Sequence, residues 1–185
     1  MSDTDTVTPL TVSLTKAWVN GLAGEAVSLS ITGGNAPTAG SSTAPATTTA
    51  ATANAAAGAT ITLTEAFGVP ANAANYTTTL SCVKTTDASV VAVSGAGLSR
   101  TITMPSDSNV ACTYTNSRIV QTLQVVKAWT NAVAGHTATV TTTGGTNNST
   151  FSATAPATGL NGTTVNVFAG DVVTLPAETF GGGAL

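Results

Sequence analysis

Three residue types that can react with one another fall on inward-facing positions of strand-like segments. In LTVSLTKAW (10–18), period-two alternation groups Leu10, Val12, Leu14 and Trp18 on one side, and it puts Lys16 on that same apolar side. In ITLTEAF, Ile61, Leu63, Glu65 and Phe67 share a face; in VACTYTN, Val110, Cys112, Tyr114 and Asn116 do. The chain holds only five Lys and Arg and eight Asp and Glu in 185 residues, so two charged groups aimed inward stand out. A buried charge is costly unless paired, so the amine, the carboxyl and the carboxamide are expected to meet. Burial lowers a lysine pKa and raises a glutamate pKa, which favours a neutral amine beside a protonated acid. Such an amine attacks the Asn116 side-chain carbonyl while Glu65 polarises that carbonyl and shuttles protons; ammonia leaves and an amide joins the two side chains. Two plainer arrangements fit the same pattern: a buried Lys16–Glu65 ion pair hydrogen-bonded by Asn116, or a lysine that snorkels to water past the sheet edge.

Cys82 follows Tyr76, Thr78 and Leu80 on an inward face, and Cys112 is inward as well, so the pair is placed to bridge strands; two buried thiols are the alternative. With no histidine beside them and no Cys-Xaa-Xaa-Cys spacing, metal or redox roles are not indicated. A disulfide would imply a setting outside the cytoplasm. Trp18 and Trp129 occupy matching positions and read as core fillers, with a sugar-stacking platform as the sharper option. The sole histidine, His136, falls in an expected exposed turn, and the aspartates are scattered singly rather than gathered into a calcium loop. No cofactor and no metal are expected.

The elements that must position these groups are strands. Thr, Val, Ile and aromatic residues alternate at period two between Gly, Asn and Pro turns, and helical periodicity is absent. The Ala/Thr stretch Ala46–Ala57 reads as an irregular edge strand or loop. KAWVNGLAGEAVSLSITGG (16–34) lines up with KAWTNAVAGHTATVTTTGG (127–145), TAPAT recurs at 43–47 and 154–158, and AGATITLTEAFG (57–68) meets AGDVVTLPAETFGGG (169–183). A period this long means tandem whole domains. The expected organisation is a leader or linker at 1–9, a first β-sandwich at 10–118 and a second, incomplete copy at 119–185. The second copy keeps Lys127 and Glu178 but has no counterpart of Tyr76 to Arg118. Its acceptor asparagine is therefore expected beyond Leu185 or on another chain, and Val125, Trp129, Val140, Val173 and Leu175 are expected to form an exposed apolar face.

A net charge of −3 with no basic cluster gives no footprint for nucleic acid. No apolar run approaches the roughly 18 to 20 residues of a membrane span. The start, MSDTDTVTP, lacks the basic and apolar regions of a secretory signal and leaves location open.

LTVSLTKAW, ATITLTEAFGVPANAANY and CTYTNSR together resemble the lysine strand, the glutamate segment and the terminal Thr-Asn strand of the B-type repeats of bacterial collagen adhesins and SpaA-type pilins. The resemblance implies an all-β architecture of tandem prealbumin-like, Ig-like sandwiches. It also implies an intramolecular isopeptide bond between Lys16 and Asn116 assisted by Glu65. The function expected from it is a structural repeat of an extracellular stalk, pilus or filament on a bacterial surface. Its partners would be further copies of the repeat in the same chain or in neighbouring subunits. An adhesive module recognising a host or matrix surface through loops such as 33–57 is the alternative. An enzyme acting on an external substrate is not expected, because the only reactive constellation is buried and would act once, on itself.

Overall fold

The computed structural model describes residues 9–155 and 161–182. The leader through residue 8 and the last three residues of the second TAPAT lie outside that range. The chain divides into two compact units, Met1–Arg118 and Ile119–Leu185.

The described residues of the first unit contain nine strands: β1 Leu10–Val19, β2 Ala26–Thr32, β3 Ala39–Thr43, β4 Thr48–Ala55, β5 Thr60–Phe67, β6 Tyr76–Lys84, β7 Val93–Ser94, β8 Ser99–Thr103 and β9 Val110–Arg118. They form two sheets, ordered β4-β1-β9-β6 and β3-β2-β5-β8-β7. All pairs are antiparallel except β1 with β9, which run parallel with Lys16 opposite Tyr114 and Trp18 opposite Asn116. The alternation read from the sequence is what builds the sandwich. β9 is buried at every second residue from Val110 to Arg118, and the even-numbered residues of β1 from Val12 to Trp18 are buried likewise.

The core falls into two apolar clusters. The larger holds Val12, Leu14, Leu29, Ile31, Ile61, Leu63, Leu80, Ile102, Val110 and Tyr114, drawn from both sheets. The smaller gathers Trp18, Val27, Ala44 and Tyr76, with Phe67 against it. Between them, three strands step from one cluster to the other through a polar residue: Lys16 between Leu14 and Trp18, Glu65 between Leu63 and Phe67, Thr78 between Tyr76 and Leu80; on β9, Asn116 lies between Tyr114 and the buried Arg118. A full side chain of Leu or Ile size buried here is worth about 1.5–3 kcal/mol, so the apolar clusters on either side hold this polar layer in place.

The Ala/Thr stretch forms the edge strand β4, and no helix occurs there. Ala51, Ala53 and Ala55 face inward and are buried, so methyl groups line that margin of the core. The edge lies close to β3, since a Cβ on Gly40 would sit 2.3 Å from the Ala50 carbonyl oxygen. The shared TGG motif also has a steric reason. Gly33 and Gly144 both adopt positive φ (87° and 91°), and a Cβ on either would fall within 2.3 Å of a carbonyl oxygen, that of Thr60 or Val172 respectively.

The second unit contains β10 Val120–Lys127, β11 Thr137–Thr141, β12 Thr150–Thr154, β13 Asn161–Phe168 and β14 Thr179–Gly181. Its pairings β10–β13, β11–β12 and β11–β14 follow the same order as β1–β4, β2–β3 and β2–β5 of the first. The apolar face expected to be exposed is partly covered. Val125 and Val140 are buried, as are Ala138, Ala153 and Val165, whereas Leu175 is 54% exposed. Five short strands still enclose a small core when their inward residues are mostly Val and Ala. Among the described residues no helix is long and apolar enough to cross a membrane.

Candidate functional site

Lys16 lies on a central strand, flanked by β4 and β9. The β1–β4 register shifts between Leu14 and Thr15, so that Leu14 faces Ala51 and Thr15 faces Thr49. A bulge here bends the ladder just before the lysine, as bulges commonly do where a side chain is aimed. The Lys16 side chain is fully buried, and its Nζ stands 3.0 Å from Glu65 Oε1, on β5 of the facing sheet. It also lies 4.5 Å from the centre of the Trp18 ring, within cation–π range. The approach to Glu65 is an ion-pair contact outside good hydrogen-bond geometry, so the donors of Nζ remain unfilled.

Asn116 completes the group from β9. Its register partner on β1 is Trp18, so it is the diagonal, same-face neighbour of Lys16 across the parallel pair. The amide Nδ2 donates to Glu65 Oε1 at 2.9 Å, which makes that one carboxylate oxygen the meeting point of amine and carboxamide. The carbonyl Oδ1 accepts from the Thr78 hydroxyl at 2.8 Å. Glu65 therefore sits at the amide nitrogen rather than at the carbonyl oxygen, where the sequence reading put it. With Glu65 ionised its carboxylate accepts from Nδ2, and the Thr78 hydroxyl, which can act either way, then donates to Oδ1.

Electrostatics follow from burial. Desolvation brings the Lys16 ammonium down to a pKa of about 8, against the pull of Glu65 in the other direction. Desolvation likewise raises the Glu65 pKa, opposed by Lys16 and by the Asn116 amide. Glu65 Oε2 is buried and accepts from nothing, a setting that favours the neutral acid. The layer thus assembles, away from water, a lysine biased toward its neutral form, an acid and a carboxamide, the inventory of an amide-forming exchange.

Cys82 and Cys112 are directly opposed on β6 and β9 and are bonded to each other. Trp18 is a core residue: its indole Nε1 donates to Ser42 Oγ at 3.3 Å, and its ring meets Tyr76 edge-on at 5.5 Å. A second polar group beside it was not anticipated. Glu25, just before β2, is 3% exposed and accepts from the Tyr76 hydroxyl, which in turn accepts from the Leu22 N–H; Arg118 is buried too. Glu25 lies outside any strand, so no alternation marks it as inward. Alternation marks Thr78 as the inward threonine of YTTTL, but only its cross-strand pairing with Asn116 makes it a site residue.

In the second unit Lys127 Nζ stands 2.7 Å from Glu178 Oε2 and 4.5 Å from the Trp129 ring centre. These side chains are 14% and 32% exposed, unlike the sealed pair in the first unit. Lys127 borders an open cavity of about 600 Å³ whose walls include Trp129, His136 and Phe180. His136 is half-buried in that wall rather than on an exposed turn, because its counterpart position in the first unit, Glu25, also points inward. Trp129 Nε1 is buried without a partner, for Ala153 stands where the first unit has Ser42.

Two facing sheets with the first and last strands parallel, sealed over a polar layer, define a prealbumin-like β-sandwich. The SpaA-type prealbumin-like fold domain matches residues 22–118, just over half of the chain, and the chain belongs to that family. Such domains are structural or adhesin-related modules of pilin type, generally without enzymatic activity and typically found at the cell surface. No curated protein and no solved structure matches the chain.

Proposed function

We propose that this chain is a structural repeat module of a bacterial cell-surface stalk, pilus or filament, stiffened from within by a disulfide and by an isopeptide bond between Lys16 and Asn116. The observation that carries the proposal is the sealed Lys16–Glu65–Asn116 group, with one carboxylate oxygen 3.0 Å from the amine and 2.9 Å from the carboxamide. An ion pair alone would leave the lysine donors and Glu65 Oε2 unsatisfied in a dry core, whereas amide formation removes both charges. In the reaction Glu65 takes a proton from the Lys16 ammonium, and the neutral amine adds to Asn116 Cγ. The proton held by Glu65 passes to Nδ2, the attacking nitrogen gives its second proton to Glu65, and the Cγ–Nδ2 bond breaks to release ammonia. Glu65 ends protonated, in keeping with its raised pKa.

The partners in this reading are further repeats of the same kind, in the same chain or in neighbouring subunits. In this reading a strand supplied by such a repeat would reach the partly exposed Lys127–Glu178 pair. The test is intact mass under reducing conditions. Folded protein should be lighter than its sequence by one ammonia, and Glu65→Gln and Asn116→Ala should restore the full mass; an unshifted mass in folded wild type would refute the isopeptide.

A further inference from the structure

The amide-forming reaction builds negative charge on Asn116 Oδ1 as the carbonyl carbon becomes tetrahedral, and something must hold that charge away from water. Glu65 is not placed to do so, since its Oε1 faces the amine and Nδ2. The oxygen is held instead by Thr78, whose hydroxyl donates to it at 2.8 Å from the directly opposed position on β6. We infer that Thr78 is a catalytic residue of the cross-linking reaction, its hydroxyl serving as the oxyanion donor at Asn116 Oδ1 while Glu65 moves the protons. This rests on the isopeptide reading above and assigns the part of the reaction that Glu65 leaves open.

Three features suit Thr78 to the task. Its donor is already aligned on the ground-state oxygen, so little reorganisation is needed as charge develops. Its place on β6 is fixed on both sides: Tyr76 and Leu80 are buried in the two apolar clusters, and the Thr78 carbonyl accepts from Arg100 at 3.4 Å. The disulfide between Cys82 and Cys112 ties the same two strands four residues along, which holds the Thr78–Asn116 pair in register. During the reaction Thr78 keeps its proton. The electron pair of the carbonyl π bond moves onto Oδ1, is stabilised by the hydroxyl, and returns as the Cγ–Nδ2 bond breaks.

The experiment is timed cell-free synthesis of the full chain under oxidising conditions, with acid quenching and intact mass to follow loss of ammonia. Thr78→Val, which keeps shape and removes the donor, should slow the reaction on the order of a hundredfold. Thr78→Ser, which keeps the donor, should restore the rate to within about threefold of wild type. Glu65→Gln should abolish it. Disulfide formation and protease resistance report folding for each variant. If the valine variant does not fold, Thr78→Cys, with a weak S–H donor in a similar volume, should show the same slowing against serine. Wild-type rates in folded Thr78→Val or Thr78→Cys would overturn the Thr78 role alone. No ammonia loss from folded wild type would overturn the isopeptide reading, and this role with it.

Discussion

Replacing Asn116 by alanine removes the acceptor of the proposed bond, and the cost can be worked from chain connectivity. Lys16 and Asn116 are 100 residues apart, a loop whose closure stabilises by about 4.7 kcal/mol in the chain-entropy treatment. The disulfide already short-circuits 30 of those residues, which shortens the effective loop to roughly 70 and lowers the figure only to about 4.4 kcal/mol. Loss of the hydrogen bond that the Asn116 carbonyl oxygen accepts from Thr78 adds about 1 kcal/mol, for a total of about 5 kcal/mol. That rivals the whole stability of an ordinary domain, so the variant should be marginal at room temperature. Guanidinium unfolding followed by Trp18 fluorescence, in a Trp129→Phe background, reads the first unit by itself. At a slope of about 3 kcal/mol per molar, the midpoint should fall by about 2 M. Asn116→Asp retains an attackable carbonyl and releases water instead of ammonia, so it should recover most of the loss. A drop of less than about 2 kcal/mol would mean that only hydrogen bonds were removed, and the covalent reasoning would fail.

Cross-linking should be fastest where amine and acid share one proton: it should decline above pH about 8, where Lys16 releases it, and decline again once acid adds a second proton to Glu65; a rate still climbing from pH 8 to 10 would contradict the shared-proton mechanism. In Asn116→Ala the unfolded lysine holds its proton up to about 10.5 while the folded one releases it near 8, so the Lys16 contribution should make stability rise with pH across that window, as denaturation at stepped pH would reveal. Alkylation of native protein without reductant should label neither Cys82 nor Cys112, and their replacement by serine should cost about 3–4 kcal/mol in unfolding titrations. Ala153→Ser should give the orphaned Trp129 Nε1 the partner that Ser42 gives Trp18 and stabilise the second unit by about 1 kcal/mol in thermal unfolding.

Much of the first unit was legible because alternation is a local property. Period two alone placed Lys16, Glu65 and Asn116 inward, and all three are at most 1% exposed. It also put both cysteines on inward faces. Strand order was not legible, since nothing within LTVSLTKAW says that its neighbours are β4 and β9 or that β9 runs parallel to it. The orientation of the Asn116 amide depends on Thr78, which alternation sets inward between Thr77 and Thr79 but which only strand pairing puts against Asn116. Glu25 and His136 escaped because they sit in turns that fold inward, where no periodic pattern reports burial.

The parallel pairing of β1 with β9 has a mechanical consequence. The chain enters the sandwich at the Leu10 end of β1 and leaves at the Arg118 end of β9, so tension applied through its ends slides the two strands past each other. In that shear geometry the ladder bonds from Val12 to Val19 are loaded together rather than unzipped one at a time. Were the ladder to yield without the Lys16–Asn116 tie, the disulfide would still hold back 30 of the 100 residues between them, and the remaining roughly 70 would pay out about 240 Å of extended chain. With Lys16 joined to Asn116, the load crosses directly from one strand to the other, and the residues between them never enter the line of force.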